Sequence, residues 1–385
     1  MAREFDVVVF GATGYTGRLV AEHLLKTHGA GGSAKWAMAG RSAAKLGAVA
    51  KEIGAPDTLP LVVADSDNPA SLEAMCLRTK AVITTAGPYQ LYGSNLVAAC
   101  AKTGTDYVDL TGESNWIAQM QVHDAAAKAS GARLVFSCGF DSIPFDLGVW
   151  FVEEEAKKRF GAYAQRVRGR VRGMRGGLSG GTLASGQATM AAAQKDPSVM
   201  GVLANPFALT SDFTGPAQPD GEQPYEDKVT GAWVGPFMMA GINTKAVHRT
   251  NYLLRHPWGT GFQYDEMQML DGPPGKGGAP GFAIDYANMP KPGEGPSKEE
   301  RDAGFYDILF IAQMPDGRTL RAAVKGDADP GYGSTSKILA EAGLALAALP
   351  RSQTPGGCWS PAAALAHELL SVLPKRAGLT FAVEG

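Results

Sequence analysis

Along the first third of the chain, short and nearly uncharged runs alternate with longer stretches whose apolar positions recur at helical spacing. Phe5 to Phe10 (FDVVVF) is rich in β-branched residues and suits a strand buried on both faces of a parallel sheet. Leu19, Val20 and Leu24 then keep a helical period. Lys35 to Gly40, Leu59 to Ala64, Ala81 to Thr85, Tyr107 to Leu110 and Arg133 to Phe136 predict further strands, with helical patterns such as Asn95 to Ala101 between them. Strands alternating with helices in this way predict an α/β fold with a doubly wound parallel sheet of six strands.

The pattern changes after about residue 148. Gly148 to Lys158 reads as a helix, and Arg166 to Arg172 (RVRGRVR) alternates strictly, which predicts a strand with its arginines on one side. Such a row is usually a solvated face; the sharper reading is a greeting for an anionic handle, such as a phosphopantetheine carrier or an acyl-CoA phosphate. Gly176 to Gly181 (GGLSGG) precedes a helix expected from near Thr182, and Ser211 to Glu226 reads as loop. Trp233 to Met239 and the helix-like Asn243 to Leu254 read as plain core, with a greasy tunnel as the alternative. Gly272 to Glu299 is long, rich in Gly and Pro and without period, as in a lid or a partner surface. Phe305 to Met314 and Arg318 to Lys325 flank Pro315-Asp316-Gly317, a hairpin signal, so this half is expected to be α+β on a mostly antiparallel sheet. Ser334 to Leu349 and Pro361 to Leu373 are apolar around much of their circumference, which places them inside the protein or at the subunit contact of a homodimer.

Composition narrows the class. At 385 residues two domains are the default, and 45% hydrophobic with 19% charged residues describes an ordinary folded protein. A net charge of -2 gives no reason to expect nucleic acid. The first strand begins within a few residues of Met1, leaving no room for a signal peptide, and no apolar run reaches spanning length; a cytoplasmic location is expected. Cys76, Cys100, Cys138 and Cys358 lack metal-ligand spacing and read as reduced, buried thiols; no metal is expected.

The chemistry concentrates at the end of the first strand. Gly11, Ala12, Thr13, Gly14, Tyr15, Thr16 and Gly17 place three glycines at a spacing of three between a strand and a helix. Gly11 permits a tight turn, Gly14 lets the backbone approach a pyrophosphate, and Gly17 lets the helix pack closely; the helix end then faces the phosphates. Where an NAD enzyme would carry an acid after strand two, this chain has Arg41 and Ser42, with Lys45 one turn on. A guanidinium suits a 2′-phosphate, so NADP(H) is expected over NAD. Asp65, after the third strand, either touches the adenosine or opens a turn running to Pro69. Ala86, Gly87 and Pro88 after the fourth strand belong beside the nicotinamide ribose, and Tyr89 is placed to stack or to donate a proton. Asp141 to Leu147 offers a second acidic shelf, with Asp141 or Ser142 as helix cap in the plainer reading.

Taken together, GATGYTG, AGR, TAGPY, YVDLTGE and GFDSIPFDLG resemble the saccharopine dehydrogenase-like oxidoreductase family, and within it the bacterial branch of the mycobacterial trans-acting enoyl reductases of glycolipid synthesis. The likeness continues through GGLSGGTLASG and PAAALAHELL…GLTFAV, covering most of the chain and the middle loosely. It implies a Rossmann-type domain from 1–148 and 331–385, with 149–330 inserted as a substrate or dimerisation domain. It implies NADP(H)-linked hydride chemistry, and adds Gly139 and Phe140 to the cofactor contacts. The lysine-pathway activity is not carried over, because the true saccharopine reductases have a differently shaped glycine corner.

The expected activity is therefore NADPH-dependent reduction of an activated double bond or carbonyl on an apolar, lipid-type substrate. One face of the inserted sheet would close over the nicotinamide, with Tyr89 as first and Asp141 as second candidate proton donor. Two alternatives stand beside it: an NADP-sensing or scaffold protein without catalysis, and a reductase of a soluble amino or imino acid held by arginines. A lipid substrate would allow peripheral membrane contact, although no basic amphipathic helix argues for it.

Overall fold

The computed structural model describes residues 3–177, 179–273, 290–291 and 293–385. The first sheet uses the apolar runs as expected: β1 (Phe5–Phe10), β2 (Trp36–Gly40), β3 (Leu61–Val63), β4 (Thr79–Thr84), β5 (Asp106–Val108) and β6 (Arg133–Val135). β1 lies between β2 and β4, with Val8 level with Ala37 and Val82. Its valines are fully buried because helices cover both faces. Tyr15–His28 and Thr335–Ala348 pack on one side, and Pro69–Cys76, Ser94–Thr103 and Asp124–Ser130 on the other.

The second sheet is built from β7 (Arg166–Arg175), β8 (Tyr225–Asp227), β9 (Ala232–Pro236), β10 (Gln263–Leu270), β11 (Phe305–Gln313) and β12 (Thr319–Gly326). Two late strands complete the molecule: β13 (Gly357–Trp359) and β14 (Leu379–Glu384). The first sheet runs β13-β6-β5-β4-β1-β2-β3 and the second β14-β12-β11-β7-β10-β9-β8. Every pair in the second sheet is antiparallel except β7 with β10. The expected six-stranded parallel sheet thus has a seventh member, since β13 pairs in parallel with β6. The return of the chain after residue 331 is shared between sheets, because β14 pairs with β12.

One continuous apolar core joins the two sheets through Ile143–Phe160, Thr335–Ala348 and Pro361–Arg376. The two apolar helices near the C-terminus are therefore buried within the chain itself. Cys76, Cys100, Cys138 and Cys358 are buried and free. No helix among the described residues is long and apolar enough to cross a membrane. Most of the loop expected over Gly272 to Glu299 lies outside the described residues.

Candidate cofactor and catalytic site

Strand order reverses between β1 and β4, and their carboxyl ends open the crevice where such sheets bind ligands. The glycine corner fills it. Gly11 turns at φ +85°, and Gly17 sits so close beneath it that a Cβ would lie 2.2 Å from the Gly11 carbonyl oxygen. Gly14 begins the helix Tyr15–His28, which among the described residues has no side-chain cap and no acid in its first turn. Its leading amides and the positive end of its dipole are left for an anion. Ala12 is buried, Thr16 is half-buried, and Thr13 is exposed next to Gly40 at the end of β2.

Arg41 follows β2, exposed and without an ion pair or side-chain hydrogen bond among the described residues. Ser42 caps the next helix, its Oγ accepting from the Lys45 amide at 3.3 Å, while the Lys45 side chain is exposed. Asp65 takes the turn alternative: its Oδ1 accepts from the Asp67 amide and its carbonyl from the Asn68 amide. These residues suit NADP: an uncapped helix head for the diphosphate, and a cation without an internal partner for a phosphoryl group on the ribose.

Beyond β4, Ala86 and the exposed Gly87 lead through the buried Pro88 into a one-turn helix, Tyr89–Tyr92. Tyr89 is not presented to the crevice. Its hydroxyl donates to the Thr84 carbonyl at 3.0 Å and accepts from the Leu110 amide at 3.4 Å, and its ring lies against Trp116. Burial pushes its pKa well above 10. This geometry makes Tyr89 a brace between strand ends and removes the reason to choose it as proton donor. The buried Glu113, which sequence reasoning passed over inside YVDLTGE, holds the same turn; its two oxygens accept from the amides of Tyr89 and Gln90 at 2.8 and 2.9 Å.

The carboxyl ends of β5 and β6 carry more acids. Asp109, also unassigned from sequence, accepts from the Ser137 and Thr111 amides and from the Tyr107 hydroxyl. Burial raises its pKa to about 7 against those bonds. Gly139 is wedged against Leu110 and Thr335, and Phe140 packs on Phe145 and Tyr306 while its amide donates to Thr335 Oγ1. Phe140 is therefore core. Asp141 comes next, half-buried, its carboxyl beside Gly112 and Ile242. It has no hydrogen-bond partner for that carboxyl among the described residues, and burial raises its pKa to about 6. Ser142 takes the N-cap position of the helix Ile143–Phe160 with Pro144 in the first turn, as in the plainer reading, but its side chain makes no capping hydrogen bond.

Five residues further on, Asp146 is fully buried and ties three helices together, accepting from Thr250 Oγ1 at 2.9 Å and from the Ala362 amide at 2.8 Å. Its pKa rises to about 7 through burial. Between the unfolded value near 4 and this folded value the native protein binds the extra proton, so the group contributes stability at low pH that is lost as pH rises through 7. Asp146→Asn is expected to flatten the fall of thermal stability between about pH 4 and 7, by on the order of 1.4 kcal/mol per unit of displacement. Melting curves of both proteins across that range check this; parallel pH profiles would refute it.

The arginine row of β7 is neither solvated nor waiting for a ligand. Arg170 is fully buried between Asp227 at 2.7 Å and Asp265 at 2.8 Å. Arg166 pairs with Asp265, Arg172 with Asp307 and Glu384, and Arg168 donates to Gln313. Three of the four arginines are thus paired with carboxylates of the chain itself and the fourth is buried against Gln313, which argues against the row as a handle for a carrier or a carboxylate.

The helix Gly180–Lys195 lies against the Gly87 to Gln90 stretch. Thr189 accepts from Gln90 at 3.1 Å, and Ser185 lies over Gly87. The crevice thus has a glycine corner at one end, Asp141 and Ile242 at the other, and a helical roof. Among the described residues no cluster of His, Cys, Asp and Glu is placed to hold a metal.

The chain is similar to known proteins. A family model described as the saccharopine dehydrogenase NADP binding domain matches residues 7–135. The trans-acting enoyl reductase of Mycobacterium bovis is 36% identical over 421 residues, covering 97% of this chain and 96% of that protein. A Mycobacterium tuberculosis protein with a provisional assignment of the same kind is 38% identical over 409 residues, with the same coverage of both chains. The fold is that of the apo saccharopine dehydrogenase (L-Glu forming) of Saccharomyces cerevisiae, with TM-score 0.54 at 14% identity, covering 99% of this chain and 100% of that one.

Proposed function

The chain belongs to the saccharopine dehydrogenase-like oxidoreductases, together with the mycobacterial trans-acting enoyl reductases, and is NADP-dependent; from that premise we propose that it reduces an activated double bond or carbonyl on an apolar substrate. The observation that supports the substrate class is the engagement of the β7 arginines inside the protein: Arg166, Arg170 and Arg172 pair with carboxylates of the chain itself, and Arg168 is buried against Gln313. Relatives named as enoyl reductases support the same reading. The soluble amino or imino acid alternative loses its argument with that row.

The cofactor, when bound, supplies the hydride. The protein's part is to orient, to exclude water and to provide a proton. The helix head at Gly14 to Thr16 holds the diphosphate, Arg41 the phosphoryl group on the ribose, and the backbone of Ala86 to Pro88 the nicotinamide side. Gly139 and Phe140 contribute main chain. Asp141 delivers the proton to the atom next to the one that takes the hydride, and regains it from solvent. Its unpaired, half-buried carboxyl suits a group that must hold a proton near neutral pH. The cofactor-binding unit comprises 1–148 with the returning helices of 331–385, and 149–330 supplies the roof.

The test is NADPH consumption with α,β-unsaturated acyl thioesters of rising chain length. Substrate-dependent loss of NADPH absorbance, steeper with the longer chains, supports the proposal. Tight NADPH binding without turnover on any of them would favour a sensor, and turnover confined to soluble imino acids would overturn the substrate class. For the ribose contact, Arg41→Ala is expected to weaken NADPH roughly tenfold to thirtyfold and leave NADH unchanged, by calorimetry with each nucleotide. An equal loss for both would remove Arg41 from the phosphate.

A further inference from the structure

The turn that precedes the helix Thr335–Ala348 touches every wall of the crevice, although nothing in the sequence singled it out. Asp329 shapes it, its carboxylate accepting from the amides of Gly331, Tyr332 and Gly333. Thr335 closes it, donating to the Pro330 carbonyl and accepting from the Phe140 amide of the loop that bears Asp141. Tyr332 stands between. Its ring meets the Tyr15 ring of the glycine corner edge-on, centroids 5.2 Å apart at 80°. Its hydroxyl accepts from the Ser179 amide at 2.5 Å and shares a hydrogen bond of 2.6 Å with Thr182 Oγ1, both at the start of the roof helix. Only 4% of Tyr332 is exposed.

We propose that Tyr332 is a positioning residue whose hydroxyl holds the roof helix down over the nicotinamide end of the crevice, while its ring seats against the glycine corner. The two functions sit on different atoms of one side chain. The ring contact is apolar and faces the first helix. The hydroxyl contact is polar and faces Gly180–Lys195, a helix of which only Gly180 and Ala193 are buried. So little apolar burial leaves the helix with few other anchors, so the hydrogen bonds at its first turn govern how firmly it stays seated. Further along, that helix meets the Gly87 to Gln90 stretch through Ser185 and Thr189, which is where shielding of a bound nicotinamide would be lost if the first turn came loose. The proposal rests on the reading of this crevice as the NADPH site.

The separation of ring and hydroxyl gives the test. Tyr332→Phe keeps the ring and removes the hydroxyl; Thr182→Val removes the partner hydroxyl from an exposed position on the roof and keeps the fold whatever Tyr332 does for stability. Each full-length variant is titrated with NADPH by calorimetry, and the fluorescence of the bound nicotinamide is quenched with iodide. Both variants are expected to bind NADPH within about twofold of wild type yet show iodide quenching raised, about threefold or more in Tyr332→Phe and less in Thr182→Val, which keeps the Ser179 bond, and the double variant to match Tyr332→Phe. Normal binding with wild-type quenching in both variants would overturn the proposal and leave the cofactor reading standing. A tenfold loss of NADPH affinity in Tyr332→Phe without a change in quenching would also overturn it, because the hydroxyl would then act on the corner and not on the roof. Failure of the wild-type protein to bind NADPH would be a different result, removing the cofactor reading and the proposal together.

Discussion

Gly17→Ala is expected to weaken NADPH binding by at least about a hundredfold. The added carbon would sit 2.2 Å from the Gly11 carbonyl oxygen and 2.7 Å from Thr85 Oγ1. The first contact is with backbone, so no side chain can swing aside. The helix Tyr15–His28 must instead back away from β1 by about 1 Å, and a displacement of that size at a charge-binding site is enough for such a loss. Gly14→Ala is the control that separates cofactor binding from folding. A Cβ there meets the Gly11 oxygen at 3.4 Å, an ordinary contact, and no other described atom beyond its chain neighbours and its own helix's backbone within 4 Å. It should leave the melting temperature of the cofactor-free protein unchanged and still reduce NADPH affinity. Calorimetry on both variants decides: affinity in Gly17→Ala within tenfold of wild type would mean that the helix head is not where the diphosphate lies.

Asp141→Asn is expected to lower turnover by about a hundredfold to ten-thousandfold while leaving NADPH affinity unchanged. The amide keeps the shape of the carboxyl and cannot deliver its proton. The direction with pH follows from the raised pKa. Asp141 holds its proton up to about pH 6 and loses it above, so wild-type turnover should decline as pH rises beyond that value, and the variant should lack this decline. The measurement is the pH profile of kcat with the same acyl thioester used for the wild type. A variant within threefold of wild type, or one with an unaltered decline, would send the search for the proton donor elsewhere in the crevice.

What could be read from residues alone depended on how far each signal reaches. The glycine corner is local: a strand, a turn and a helix written within two dozen residues, and β1 was legible to its limits. The alternation of Arg166 to Arg172 likewise gave the strand correctly. What it could not give was the fate of the guanidinium groups, because their partners Asp227, Asp265, Asp307 and Glu384 come from four other strands. β10 escaped notice for the same reason, since its Asp265 and Glu266 look like surface charges and are buried, the latter against Asn243 and Tyr264. β13 has three residues after Pro355 and Gly356, a stretch that reads as loop until β6 is known to lie beside it. Tyr89 shows the limit at the site. Its position after β4 was right, but the direction of its hydroxyl is set by the Thr84 carbonyl and the Leu110 amide, which depend on how β4 and β5 end relative to each other. Asp141 has no such hydrogen-bond partner among the described residues, and burial alone raises its pKa.

The sharing of the C-terminal strands has a consequence for biosynthesis. β13 borders β6 and β14 borders β12, so each sheet receives one of its two edge strands from the stretch after residue 356. While the ribosome is still upstream of that stretch, the nascent polypeptide carries two unprotected backbone ladders, the kind of surface on which chains aggregate. Neither sheet has its full set of strands until that stretch has been synthesised.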